Sequence, residues 1–406
     1  MKVLIADLFS QSAIEEIQLC GIELVYKHQL NGDSLASELS RFAPEILVVR
    51  STKVTSQHIN ASPTLEFIIR AGAGTDNIDC RAASGKGIYV ANCPGKNSIA
   101  VAELVLGLML AIDRRIPEGV SLLKQGKWNK GMFSECSGLK GRKLGIIGLG
   151  AIGKEVSVRA KSFGLEVYGT DPSVTPSQAQ SLGIEYCPSA LDLARISDII
   201  TFHVPATPET RGLINSAFIS NCKENVTLIN TSRGDIANEQ ELLYELNQRP
   251  GLWYACDVYQ GEPAAKEGDF MHALAQHPRV YGTHHIGAST KQAENAIGQE
   301  ALRMILMYYR TRKVDPSNLV NMQVRPLANY SVIVRHYGQH GALTTLMELL
   351  KEAEFRILDF ENKAFKDGAS FKAIINIDCN NPLYLEGIVK ILSEQEDVIH
   401  CNVVHL

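Results

Sequence analysis

The 406-residue chain has no long apolar run, no basic tract, no paired-cysteine motif and few aromatic residues. Each absence removes a class of function. Its most apolar stretch, Ala100 to Ile112, is interrupted by Glu103 and is too short to span a bilayer, so no membrane is expected as a partner. Asp7 breaks the opening run Met1-Lys2-Val3-Leu4-Ile5-Ala6 too early for a signal peptide. Lys and Arg number 40 against 44 Asp and Glu, and the net charge of −4 gives nucleic acid no electrostatic footprint. The nine cysteines are scattered singly, with no C-x-x-C pair and an odd total. That is the pattern of reduced thiols in a cytoplasmic protein, not of a disulfide framework or a metal site. There is no internal repeat. What remains, 45% hydrophobic and 21% charged, is ordinary for a soluble globular chain, with length for roughly two or three domains.

What is present is alternation. Val3–Ala6, Glu23–Tyr26, Ile46–Val49, Phe67–Arg70 and Ile88–Ala91 read as short buried strands with helix-period segments between them, which predicts α/β architecture with parallel sheet. Ser98–Ile112 is apolar on nearly every face and is expected to be buried all round, at a domain junction or subunit interface. Further strands follow near Ile199–Val204, Thr227–Asn230, Trp253–Val258 and Val280–Thr283, then a helix from Lys291 to Tyr309 and a polar linker, Asp315-Pro316-Ser317-Asn318. Beyond the linker the order becomes strand, helix, strand, strand, helix, strand, the ferredoxin-like βαββαβ arrangement.

The most informative segment runs from Lys143 to Val156, where an apolar strand leads into Gly148-x-Gly150-x-x-Gly153 and a helix begins. Gly148 permits a tight turn, Gly150 lets a pyrophosphate approach the backbone, and Gly153 lets helix and strand pack closely. The Gly150-Ala151-Ile152-Gly153 amides open a helix whose positive end favours phosphate. The next strand, Glu166–Thr170, ends in Asp171, suited to ribose hydroxyls; no Arg follows to take a 2′-phosphate, so NAD is expected rather than NADP.

Three groups close later strands of the same unit: Asn230-Thr231-Ser232-Arg233-Gly234, Asp257 to Glu262-Pro263, and Thr283-His284-His285-Ile286-Gly287-Ala288. Carboxyl ends of strands in a doubly wound sheet open onto the ligand crevice, so these can converge. Hydride removal from a secondary alcohol needs a base, and histidine titrates near neutrality. A carboxylate on its other ring nitrogen stabilises the imidazolium, and a guanidinium can grip a carboxylate through two parallel bonds.

With these motifs in chain order, residues 1 to about 315 resemble the D-2-hydroxyacid dehydrogenase family. The resemblance implies two Rossmann-like doubly wound domains and a catalytic trio: Arg233 for the substrate carboxylate, His285 as acid–base group and Glu262 as its partner. It places Asp257 at the nicotinamide carboxamide and His203 and Pro205 at the adenine side, with Thr231, Ser232, Ile286, Gly287 and Ala288 completing the cofactor site. Where the family pattern has Pro this chain has His284, and the register before Ile286 selects His285.

Val49-Arg50-Ser51-Thr52, Arg70-Ala71-Gly72-Ala73-Gly74-Thr75-Asp76-Asn77 and Lys96-Asn97-Ser98 are similar to segments of the family members that act on D-3-phosphoglycerate. That likeness makes 3-phosphoglycerate the expected substrate, bound by Arg50, Ser51, Arg70, Ala73, Gly74 and Asn97. Lys127-Trp128-Asn129-Lys130 resembles a loop that crosses between subunits in this family, and a homo-oligomer, a dimer of dimers, is expected. The C-terminal unit looks like an ACT domain, a regulatory module with a small-molecule effector. It retains His336 but carries Gly338 and Arg356 where serine-sensing relatives have amide side chains. The expected division is residues 1–97 with 288–317 for substrate, 98–287 for NAD and 326–406 for regulation. The alternatives are another 2-hydroxyacid dehydrogenase, such as a hydroxypyruvate or glyoxylate reductase, and a non-catalytic NAD-sensing corepressor.

Overall fold

Parallel strands buried on both faces read as nearly continuous apolar runs, and Ile46–Val49 and Phe67–Ile69 are such runs. A computed structural model describes residues 1–263, 267–322, 328–337, 341–366, 368–379 and 381–406. The chain folds into two compact units, Met1–Asn321 and Met322–Leu406.

The first unit holds two sheets. The strands β1 (Lys2–Ile5), β2 (Glu23–Tyr26), β3 (Ile46–Val49), β4 (Phe67–Arg70) and β5 (Tyr89–Asn92) form one, in order β2-β1-β3-β4-β5. All its pairs are parallel. The strands β6 (Lys143–Ile147), β7 (Glu166–Thr170), β8 (Glu185–Tyr186), β9 (Ile199–Phe202), β10 (Thr227–Asn230), β11 (Trp253–Cys256) and β12 (Val280–Gly282) form the other, in order β12-β11-β10-β9-β6-β7-β8. It too is wholly parallel. Strand order reverses beside β1 in the first sheet and beside β6 in the second. At such switch points connections leave to opposite faces, and a crevice opens past the carboxyl ends. The two-residue edge strand β8 is too short for a periodicity to reveal.

The helix Lys291–Thr311 returns along the chain to pack Ile297, Ala301, Leu302, Met304, Ile305 and Tyr308 into the core of the five-stranded sheet. The helix Ser98–Arg114 packs Ala102, Val105, Leu106, Leu108, Met109 and Ile112 on the seven-stranded one. Contrary to the expectation of burial all round, Ile99, Glu103 and Gly107 form an exposed stripe at four-residue spacing. The chain's own sheet therefore satisfies most of this helix, and its apolar character carries no argument for a partner subunit. Exposed apolar surface lies instead on the next helix, Ile116–Lys124, which buries no residue, and at Trp128, 81% exposed.

In the second unit β13 (Tyr330–His336), β14 (Arg356–Ala364), β15 (Phe371–Asp378) and β16 (Val398–His405) make an antiparallel sheet in order β14-β15-β13-β16. Alternate residues, Val332 and Val334 with Ala373, Ile375 and Ile377, enter a core completed by Leu346 and Leu350 of the helix Ala342–Glu352 and by Leu385, Ile388 and Leu392 of the helix Leu383–Ser393. Gly338, one of the two positions on which the serine argument rests, lies outside the described residues.

Candidate active site

The glycine turn after β6 is shaped by contacts that tolerate no side chain. Gly148 has φ +95°, and a Cβ there would sit 2.5 Å from the His203 carbonyl oxygen. A Cβ on Gly153 would collide with the Gly148 carbonyl oxygen, whereas Gly150 faces open space. The backbone is thus exposed at the start of the helix Ala151–Ser162, where first-turn amides are free for an anion. Asp171 braces this turn. Its carboxylate accepts from Leu149 N (2.8 Å), Ser173 N (2.8 Å) and Ser173 Oγ (2.6 Å). Burial works to raise its carboxyl, but these hydrogen bonds outweigh it and hold the group below the usual carboxylate range.

Past β9, His203 Nε2 lies 2.9 Å from Thr201 Oγ1, and burial pushes the imidazole down to about 3, so it is neutral. Its Nδ1 and the Thr231 Oγ1 are buried without a hydrogen-bond partner among the described residues. Buried polar atoms are ordinarily satisfied, so these two mark a place where a polar ligand completes the bonding. With the open Gly150 backbone and Asp171, the residues fit a dinucleotide. Pro205 is exposed beside them, and Ser232 is held by Asn230 Oδ1 through its N (3.0 Å) and Oγ (2.7 Å).

The candidate acid–base pair is formed: His285 Nδ1 lies 2.7 Å from Glu262 Oε2, while Glu262 Oε1 accepts from Tyr259 N at 2.8 Å. The hydrogen bond from Glu262 raises the His285 pKa above its ordinary value, against the effect of burial. Burial would raise the Glu262 carboxyl, but its bonds from His285 and Tyr259 hold it low. His284 is exposed. His285 has φ +52°, a left-handed conformation costly for a residue with a Cβ. The structure that holds it there is Asp257, buried, whose oxygens accept from Thr283 Oγ1 (2.6 Å), Ile286 N (2.8 Å) and Gly287 N (2.8 Å). Expected against the carboxamide, Asp257 is engaged by three protein donors that bracket His285; Ala288 follows, part-buried.

Arg233 is oriented from two sides. Its Nε and Nη2 meet Asp76 Oδ2 at 2.9 and 2.8 Å, and Nη1 donates to Ser232 O at 2.7 Å. One N–H remains on each terminal nitrogen, the pair that a carboxylate takes bidentately. Gly74 makes room, since a Cβ there would strike Arg233 Nη2. Arg70, at the end of β4, folds over Gly72 in the same way, and its Nε is buried without a hydrogen-bond partner among the described residues. Burial first, then the neighbouring Arg233 and Arg50, push its guanidinium down to about 10. Such a charge calls for an anion. Arg50 is less available, because Nη1 pairs with Glu294 Oε1 at 2.9 Å. Its backbone is fixed by Asp7, which accepts from the amides of Arg50 (2.6 Å), Ser51 (3.0 Å) and Thr52 (2.9 Å) and from Ser51 Oγ (3.1 Å). The Ser51 hydroxyl is therefore spent within the protein. Ala73 O accepts from Asn92 Nδ2, and Asn97 caps the helix Ser98–Arg114 without a side-chain bond. Sequence reading gave Asp7, Asp76 and Glu294 no role in the site. Asp7 had a signal, a carboxylate just past the end of a strand as Asp171 is, but Glu294 reaches Arg50 only through the fold.

Residues 106–287 match the family model described as D-isomer specific 2-hydroxyacid dehydrogenase, NAD binding domain. Human D-3-phosphoglycerate dehydrogenase is 35% identical over 398 residues, 98% of this chain and 72% of the relative. The chain belongs to the D-2-hydroxyacid dehydrogenase family. The D-3-phosphoglycerate dehydrogenase of Methanocaldococcus jannaschii is 38% identical over 360 residues, 88% of this chain and 65% of that one. Among solved structures, the NAD+-bound 3-phosphoglycerate dehydrogenase of Entamoeba histolytica superposes with a TM-score of 0.65 at 27% identity, over 80% of this chain and 99% of that one. For this family member the Rossmann-type strand order and the glycine turn make the region past β6, β7 and β9 the candidate dinucleotide crevice.

Proposed function

We propose that this D-2-hydroxyacid dehydrogenase oxidises D-3-phosphoglycerate to 3-phosphohydroxypyruvate with NAD, the first step of L-serine synthesis. The observation that carries the reading is Arg70, a guanidinium with a partnerless buried Nε, set beside Arg233 and Arg50. A substrate with a carboxylate at one end and a phosphate at the other meets that need. Bound NAD supplies the hydride acceptor for C2 of the substrate. Arg233 takes the carboxylate through its two remaining N–H groups, with the Ala73 and Gly74 backbone alongside. Arg70 and Arg50 take the phosphate. His285 removes the hydroxyl proton at Nε2, and the Glu262 anion on Nδ1 stabilises the imidazolium that results. The cofactor rests on Gly148 to Gly153 and Asp171, with His203, Pro205, Thr231 and Ser232 beyond. Ile286, Gly287 and Ala288 flank its nicotinamide. Residues 1–97 with 288–317 then serve the substrate and 98–287 the cofactor, while 326–406 serve as an ACT-like regulator. The exposed apolar helix Ile116–Lys124 and Trp128 support a homodimeric core within a dimer of dimers.

A second reading, a dehydrogenase of an unphosphorylated 2-hydroxyacid, is favoured by one observation. Glu294 already neutralises Arg50, the outer of the two cations assigned to phosphate. Mixing the pure protein with NAD and either D-3-phosphoglycerate or D-glycerate and following nicotinamide absorbance separates the two. The proposal requires the phosphorylated acid to be the better substrate by kcat/KM.

A further inference from the structure

The position of Glu262 depends on the turn Asp257–Glu262, and that turn is gripped by a carboxylate that belongs to none of the groups described above. Glu239 Oε1 accepts from Gln260 N at 2.8 Å, one residue along from the Tyr259 amide held by Glu262 itself. The other Glu239 oxygen lies 3.0 Å from His272 Nε2, and both side chains are largely buried, 13% and 18% exposed. Burial raises the Glu239 carboxyl, against the bonds from Gln260 and His272. A second tie runs in parallel, Gln260 Nε2 to Ala237 O at 2.8 Å. Between them Gly234 permits backbone contact, since any Cβ there would strike the Tyr259 carbonyl group and the Gln260 nitrogen. His272 is seated by rings: it stacks on Phe270 at 5.0 Å between centroids and meets Tyr259 edge-on at 5.2 Å.

Three segments meet at this carboxylate. Glu239 follows Arg233 by six residues, Gln260 precedes Glu262 by two, and His272 leads into β12, at whose end His285 stands. We propose that Glu239 and His272 are positioning residues for the dehydrogenase reaction, locking the Arg233 segment to the Glu262 turn so that Glu262 stays on His285 Nδ1. The inference rests on the dehydrogenase reading but not on which 2-hydroxyacid is the substrate. Neither residue touches the reacting atoms. The charged groups facing His285 are Glu262, Asp257 and Arg233, and those facing Glu239 are His272 and Asp235. Release of the turn thus removes the nearest anion from His285 and leaves Arg233 in place.

The test compares Glu239→Ala, Glu239→Gln and His272→Phe in the full chain. Glu239→Ala should lower kcat roughly ten- to hundredfold, as displacement of a catalytic group by about an ångström does. The KM for NAD should stay unchanged, and the His285 limb of the pH–rate profile should move to lower pH. Glu239→Gln keeps an oxygen for Gln260 N and should recover most of the rate, and His272→Phe keeps the stacking and should fall between. The His285 imidazole, titrated by NMR in the NAD-bound protein, should show the same downward movement in Glu239→Ala. That second measurement needs no turnover. A wild-type protein inactive on 3-phosphoglycerate therefore removes only the substrate reading. An unmoved His285 titration in Glu239→Ala, with any loss of rate matched by a lower melting temperature, would make the pair a structural tie and overturn the proposal.

Discussion

At the scale of single residues, the site is a set of charges held in place by other charges. In the proposed mechanism His285 carries the proton transfer with Glu262 stabilising its imidazolium, so His285→Ala should cost roughly 100- to 10,000-fold in rate. Dinucleotide affinity, read by fluorescence titration, should survive, because the glycine turn and Asp171 are held by bonds that do not involve this residue. The raised His285 pKa sets the direction of the pH dependence. Oxidation needs the neutral ring, so the rate should rise with pH through a value above that of a free histidine. Glu262→Gln neutralises the anion that favours the imidazolium and should shift this limb to lower pH. The arginines differ in kind. Arg70 has a partnerless buried Nε, whereas Arg50 shares its charge with Glu294. Arg70→Ala should raise the KM for 3-phosphoglycerate more than Arg50→Ala does. Both should leave an unphosphorylated 2-hydroxyacid little changed. Equal damage to both substrates would make these arginines structural.

At the scale of elements, function gathers where parallel strands end. Asp7, Arg50 and Arg70 close β1, β3 and β4, and Asp171, His203, Arg233 and Asp257 follow β7, β9, β10 and β11. Parallel register brings these ends to one edge of each sheet, so residues far apart in sequence become neighbours. Under the proposed function Asp171 is an element end that would set cofactor specificity. Fixed by Leu149 N and Ser173, it would face a 2′-phosphate at close range, and Pro172, Ser173 and Val174 after it include no Arg to offset the repulsion. A preference for NAD over NADP of at least tenfold is expected, which needs only about 1.4 kcal/mol. Comparable kcat/KM with the two cofactors would show that Asp171 does not meet the ribose. Apart from β8, the strands of the first unit were legible in the residues, because burial on both faces of a parallel strand writes an unbroken apolar run, whereas only the longer helices were placed. β8 was not, having two residues and no period. The exposed stripe of the helix Ser98–Arg114 was not either, since an apolar helix and its neighbours are not readable from the helix alone.

At the scale of the whole molecule, the boundary between the two units, Asn321 to Met322, lies in the gap between the expected segments 288–317 and 326–406. Val320 N donates to Val90 O at 2.8 Å, and Asn321 accepts from Val90 N and donates to Ile88 O, so both residues belong to the first unit. A chain ending at Asn321 should keep dehydrogenase activity, and one ending at Asn318 should melt at a lower temperature. The first should also sediment as a dimer if the second unit builds the tetramer. Because Arg356 stands where serine-sensing relatives have an amide, serine inhibition of the full chain should be weak or absent. Strong inhibition that the Asn321 truncation abolishes would refute that reading of the effector site.

The sequence alone determined the chemistry on offer: a glycine turn between strand and helix, an acid closing the next strand, and Arg, Glu and His after three later ones. These are local patterns, set by backbone sterics and by the two-sided burial of parallel strands, and they survive without coordinates. Tertiary structure decided how those groups are held. Asp257 bends the chain at His285 into a left-handed conformation, Asp76 turns Arg233, Glu294 occupies Arg50, and Glu239 fastens the Glu262 turn. Each of these contacts joins residues that no sequence period relates. An ion pair or hydrogen bond depends on distances of about 3 Å, and only the packed fold sets distances on that scale between remote parts of the chain.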